Sequence, residues 1–194
     1  MKKSIIVILM VLFSTMIFSQ EEKKPEFRKA FFGMTQAEVK KLESDKLVHE
    51  TKELLFYEDS LFGINCNVGY FFMKDKFAKG GYYFSGPRNP HSNKTDFVRD
   101  YENIKAKVVE KYGKPKADKT IWKNDLYKDD PSEWGMAVSV GHLVKYCTWE
   151  RPEVVMSLEI FGDNYKINLK LDYMHPDFDK MKEAADKEKE EEKF

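Results

Sequence analysis

Gly33-Met34-Thr35-Gln36-Ala37-Glu38-Val39, followed by the strand-like runs 47–57, 62–74 and 77–85, decides how this chain is read. Thr35 can accept a hydrogen bond from the amide of Glu38, and the Glu38 carboxylate can reach back to the Thr35 amide. This reciprocal pattern is a capping box, and it starts a helix. Met34 and Val39 stand where a hydrophobic staple would hold the entry of the chain. The pattern predicts a short helix over 36–43 that buries Val39 and Leu42. The runs that follow are rich in aromatic and β-branched residues, with breaks expected at Asp59-Ser60 and Asp75-Lys76.

The same order then returns. Gly86-Pro87-Arg88-Asn89-Pro90 cannot continue a ladder, and Thr95 is placed to cap a second helix. In that helix Phe97, Tyr101, Ile104 and Val108 recur along one face. Tyr112-Gly113-Lys114-Pro115 closes it, with glycine supplying the left-handed step and proline preventing continuation. Strands are expected at 120–123, 143–150, 154–161 and 166–173. In the last of these Ile167, Leu169, Leu171 and Tyr173 alternate with polar residues, and Gly162-Asp163-Asn164 reads as the hairpin turn before it. Helix and antiparallel hairpins in this order predict an α+β fold of two layers, an antiparallel sheet with two helices packed on one face. The repetition suggests two tandem halves, 27–86 and 92–174, within one domain spanning 20–176. The polar segment 124–141 reads as an excursion loop. The segment 177–194 reads as a charged tail with partial helical order at best.

Ahead of this domain, Lys2 and Lys3, the apolar run from Ile5 to Phe13 and the small residues from Ser14 to Ser19 form a secretory signal pattern over 1–19. The apolar run is shorter than the roughly 20 residues a bilayer-spanning helix needs, so the mature chain is expected to carry no transmembrane anchor. Export would end in the periplasm or outside the cell. The 194 residues are 42% hydrophobic and 14% aromatic, enough to build a core. The 33 basic residues are balanced by 33 acidic ones and interspersed with them, which argues against nucleic acid as a partner.

Gly33-Met34-Thr35 before a short helix and a meander, then Lys111-Tyr112-Gly113-Lys114-Pro115 followed by Trp122 and Trp149, resembles small exported bacterial proteins with the β-lactamase-inhibitor-protein-like fold. The resemblance lies in the order of elements over 27–173. The chain has neither a lipid-accepting cysteine at the signal junction nor the Leu-Gly-x-Pro that lipoprotein members carry after the first helix. The resemblance implies a two-layer α+β fold whose sheet face or loops bind another protein, and it transfers no active-site residue.

Chemistry-bearing motifs are few. His49, His91, His142 and His175 are scattered singly, without the His-Glu-x-x-His spacing of a zinc site. There is no Gly-x-Ser-x-Gly elbow, phosphate-cradling loop or dinucleotide fingerprint, so neither a metal nor a cofactor is expected. Asn124-Asp125 and Asp129-Asp130 lack the alternating ligands of a calcium loop. The two cysteines, Cys66 and Cys147, form either a disulfide or two buried free thiols.

Aromatic residues give the candidate binding set. Alternation in Tyr70-Phe71-Phe72 and Tyr82-Tyr83-Phe84 sends Phe71 and Tyr83 to the face opposite their neighbours, where they begin a patch on the outer surface of the sheet. Cross-strand pairing that stabilises the sheet is the alternative use. Tyr127 and Trp134, in the excursion loop, are either partner-facing anchors or a hydrophobic plug beneath that loop. Together these features lead to the expectation of a non-enzymatic binding module that engages an envelope or secreted protein. The alternative is a small-ligand binder or minor hydrolase with a site between the halves.

Overall fold

The computed structural model describes residues 24–84 and 94–191. The signal pattern over 1–19 and the break over 86–90 lie outside the described residues.

The first half opens with helix α1 (Gln36–Leu42). The Thr35 hydroxyl accepts from the Glu38 amide at 3.3 Å and the Glu38 carboxylate accepts from the Thr35 amide at 2.8 Å, so both bonds of the capping box are made. The helix buries Val39 and stops at Leu42, because Glu43 turns to extended backbone and sends its carboxylate to Arg28 and Tyr70. Four strands follow as a meander: β1 (Lys46–Thr51), β2 (Leu54–Leu61), β3 (Ile64–Met73) and β4 (Lys76–Tyr83).

The run 47–57 is therefore two strands, divided at Lys52-Glu53. The break expected at Asp59-Ser60 falls instead at Phe62-Gly63, where both residues have positive φ, as a tight hairpin with matching twist requires. Asp59 and Ser60 stay in the ladder opposite Cys66 and Asn65, and Arg28 holds the Asp59 carboxylate. The next turn is at Lys74-Asp75, one residue earlier than expected.

The second half begins with helix α2 (Thr95–Tyr112), in which Thr95 is the first helical residue rather than the cap. Its hydroxyl donates to the Ser132 carbonyl at 2.7 Å, and Gly113 ends the helix at φ +82°. Strand β5 (Ala117–Trp122) follows, then a 3-10 turn (Pro131–Glu133), helix α3 (Trp134–Ser139) and the strands β6 (Leu143–Glu150), β7 (Val155–Asp163) and β8 (Lys166–Met174). The expected excursion loop thus contains a helix. Gly135, Ala137, Val138 and Ser139 are buried, and a Cβ at Gly135 would lie 2.2 Å from the Lys94 carbonyl carbon, so glycine lets α3 touch the start of α2. The charged tail likewise forms a helix, α4 (Phe178–Glu191), with no buried residue.

All eight strands join one antiparallel sheet in the order β1-β2-β3-β4-β8-β7-β6-β5. Each half contributes four consecutive strands, and the halves meet where their fourth strands, β4 and β8, pair antiparallel. That arrangement relates the halves by an approximate two-fold axis normal to the sheet. Helices α1, α2 and α3 cover one face. Beneath them Leu55, Tyr57, Val68, Tyr70, Phe72, Phe77, Leu158, Ile160, Leu169 and Leu171 form one core with Val39, Tyr101, Ile104 and Val138. Burying a side chain of this size contributes about 1.5–3 kcal/mol, so this layer supplies most of the stabilisation.

Two further features fix the first half to the core. Phe27 is buried at the end of the N-terminal segment, with its ring centroid 5.2 Å from each of Tyr70, Tyr82 and Tyr173. Arg28, at φ +55°, bonds to Glu43, Asp45 and Asp59 together. A single guanidinium thereby ties the N-terminal segment to the end of α1, the start of β1 and the strand β2.

Candidate functional site

The pleat that sends Leu55, Tyr70 and Tyr82 into the core sends Phe56, Phe71 and Tyr83 to the other face. Their rings form a triangle, with centroid separations of 6.0 Å for Phe56–Phe71, 5.6 Å for Phe56–Tyr83 and 5.9 Å for Phe71–Tyr83. Interplanar angles of 86°, 88° and 63° are edge-to-face arrangements, the favourable geometry for aromatic pairs. The triangle sits over Gly69, whose absent side chain makes the room: a Cβ there would lie 2.6 Å from Phe56 and 2.9 Å from Tyr83. All three rings are half-buried.

Beside the triangle is a fixed polar cluster. Asp172, only 1% exposed, accepts from Tyr83 Oη at 2.7 Å and pairs with Lys79 Nζ at 3.1 Å and Lys170 Nζ at 3.4 Å. Lys170 also pairs with Glu159 at 3.1 Å. Burial, and then the Asp172 charge, pushes the Tyr83 phenol well above its ordinary value, so it remains a donor. Burial works against the Lys170 charge, but Asp172 and Glu159 more than offset it and raise its affinity for the proton. These four charges balance, which leaves the centre of the face neutral and rigid. Direct register continues the row from Asn67 and Tyr83 through Lys170 and Glu159 to Tyr146 and Lys119. Phe161 lies on the same face, with Lys170 Nζ 5.6 Å from its ring centroid.

The four candidate binding aromatics do not make one surface. Phe71 and Tyr83 belong to the outer triangle. Trp134 lies on the helix side, edge-to-face with Trp122 at 5.9 Å, its indole donating to the Lys128 carbonyl at 3.1 Å and Lys145 Nζ 5.7 Å from its ring. Tyr127 stacks on His142 at 5.7 Å and 30°. Both are half-buried and pack against the core. Phe56 was missed in the sequence because 47–57 read as one strand. The alternation of Leu55 and Tyr57 was the signal that could have placed it.

The cysteines are free thiols. Cys66 is on β3 and Cys147 on β6, four strand spacings of about 4.8 Å apart, far beyond the roughly 4.4–6.8 Å between Cα atoms that a disulfide spans. Burial pushes the Cys66 thiol up to about 12. Cys147 is raised as well, by burial first, and lies 3.1 Å from Tyr101 Oη and 3.3 Å from Asp118. Neither is an activated nucleophile.

The halves meet at the seam between β4 and β8. On its helix side Tyr82 and Tyr173 pack on Phe27, and on its outer side Gly81 lies under Tyr83 and Asp172. The Nδ1 of His142 is buried without a partner, but its ring faces Tyr127 rather than the seam. Among the described residues no group of three or more His, Cys, Asp or Glu is placed to hold a metal ion, and no helix is long and apolar enough to cross a membrane.

No protein-family model matches this chain, and no curated protein or solved structure matches it.

Proposed function

We propose that this chain is an exported, non-enzymatic binding module whose outer sheet face docks another protein of the bacterial envelope. One observation carries the reading: Phe56, Phe71 and Tyr83 form an aromatic triangle on the face opposite α1, α2 and α3, with α4 lying only at the end of that face beside Phe71. Aromatic side chains with one apolar face free and a fixed polar neighbour are the residues that anchor protein interfaces. Tyr83 is held by its bond to Asp172 and packs edge-to-face with Phe56 and Phe71, so part of the side-chain ordering precedes binding. The resemblance in order of elements to exported proteins of the β-lactamase-inhibitor-protein-like fold supports the same use of the sheet face. The signal pattern over 1–19 supports export.

The test is native mass spectrometry of the protein purified gently from its own envelope fraction. A retained companion protein that disappears with Phe56→Ser and Tyr146→Ser, yet persists with Lys107→Ser on the exposed side of α2, is the expected outcome. A companion lost equally with all three variants, or a bound small molecule in its place, would contradict the reading.

A further inference from the structure

We propose that the groove beneath α4 is a docking site for an amphipathic helix of a second protein, and that α4 is its displaceable occupant within the chain. The proposal rests on the outer face being a docking surface and specifies the partner. The groove, of about 640 Å³, lies between α4 and the end of the outer face, with Leu54, Phe71 and Lys79 as its floor and the turns 51–53 and 73–75 as its walls. From α4 the lining residues Phe178, Lys182, Ala185 and Lys189 recur at four, three and four positions, one face of a helix.

The contacts define what the groove selects. Lys79 Nζ sits 5.3 Å from the Phe71 ring and 5.9 Å from the Phe178 ring, so the first turn of the helix presents an aromatic to an ammonium already resting on an aromatic. At the other end the consecutive residues Glu188 and Lys189 meet opposite charges on two neighbouring turns: Glu188 pairs with Lys74 at 2.5 Å and Lys189 with Glu53 at 2.7 Å. A rotation that exchanged Glu188 and Lys189 would set like charges against each other, and a reversed helix would carry the pair away from Lys74 and Glu53. The groove therefore reads direction and rotation, and the small Ala185 between the two ends lets the helix approach.

The occupant is held lightly. No residue of α4 is buried, and all four side chains of the charge clamp are more than half exposed, so their attraction is weak and screened by salt. A helix of 14 residues is marginal without its support. A partner helix with an aromatic at the Phe178 position, a small residue at the Ala185 position and an acid-base pair at the end would make the same contacts. Apolar residues reaching on to Phe56 would add to them.

The test uses the full chain and a peptide of residues 178–191, held helical by a lactam bridge between Glu183 and Lys187 on its outward side. The probe is titrated into the wild-type chain and into Glu188→Lys/Lys189→Glu, where α4 is repelled from Lys74 and Glu53. We expect the probe to bind the charge-reversed chain about tenfold more tightly, because the tethered competitor is gone, and to move the amide resonances of Phe71 and Lys79. Adding Lys74→Glu, an exposed change, should weaken binding severalfold, and a charge-reversed probe should bind the charge-reversed chain less tightly than the wild-type probe does. Equal affinity for the two chains, shifts outside the groove, or no shifts with millimolar probe would each overturn the proposal. Tyr83→Ala separates this from the wider reading, since Tyr83 is outside the groove: the probe should still bind when an envelope partner no longer does.

Discussion

Tyr83 on β4 donates its phenolic proton to Asp172 on β8 at 2.7 Å, and the bond crosses the seam where the two halves of the sheet meet. One contact thus joins the halves and fixes the ring that completes the aromatic triangle. Tyr83→Phe removes the donor but leaves Asp172 with Lys79 and Lys170, so a loss of about 1–2 kcal/mol in urea unfolding is expected. Asp172→Ala leaves two ammonium groups without their shared carboxylate, and a loss of about 3 kcal/mol is expected. Equal effects of the two changes would show that the carboxylate is not the centre of the cluster.

The two faces respond differently to an added methyl group. A Cβ at Gly80 would lie 2.2–2.6 Å from the Phe27 ring inside the core, and Gly80→Ala is expected to destabilise by about 3 kcal/mol. At Gly69 the added atom meets the edges of Phe56, Tyr83 and Phe71, which can swing toward solvent. Gly69→Ala should therefore cost about 1 kcal/mol, change the near-ultraviolet circular dichroism, and weaken partner binding more than stability. Matched losses of stability would place the triangle in a closed layer.

Alkaline pH should unfold the protein through its buried phenols. Burial is the first cause in each: it pushes Tyr82 up to about 12 and raises Tyr57, Tyr70, Tyr83, Tyr101 and Tyr173. The fold holds these protons while the unfolded chain releases them near pH 10, so the folded state binds more protons and stability falls as pH rises. The contribution is complete below about pH 10 and is lost as the pH climbs through the folded values. Ultraviolet titration should show these six phenols ionising together with unfolding; smooth ionisation near pH 10 in a folded chain would refute their burial.

Both thiols should resist alkylation in the folded protein and react in denaturant, with no mass change on reduction. Cys66 and Cys147 are buried, free and raised in pKa, so thiolate is scarce and access is closed. A two-hydrogen deficit in the intact mass would contradict the strand order itself.

The sheet and its two long-range halves were legible because local signals agreed: the Thr35 capping box, the glycine stop at Gly113 and the alternation from Ile167 to Tyr173. What escaped was set by tertiary contact. Asp59-Ser60 looks like a turn but stays extended because Arg28, distant in sequence, holds Asp59. Trp134–Ser139 lacks a helical stripe because it is buried between α2 and the sheet, with Gly135 chosen for closeness rather than propensity. The tail 177–194 has too few apolar residues to announce a helix, and the turns that α4 (Phe178–Glu191) meets through Lys74 and Glu53 are distant in sequence. Of the candidate site, parity placed Phe71 and Tyr83, whereas the fate of Tyr127 and Trp134 depended on which side of the sheet the intervening segment folds.

The central claim, that the outer face of the sheet docks a protein, is tested most directly by placing a photoreactive phenylalanine at single positions in cells and crosslinking in the intact envelope. Positions 56, 71 and 146 should each join the chain to the same discrete partner, while position 107 on α2 should not. Crosslinking from position 107 with none from the three outer-face positions would contradict the account and move the interface to the helical layer.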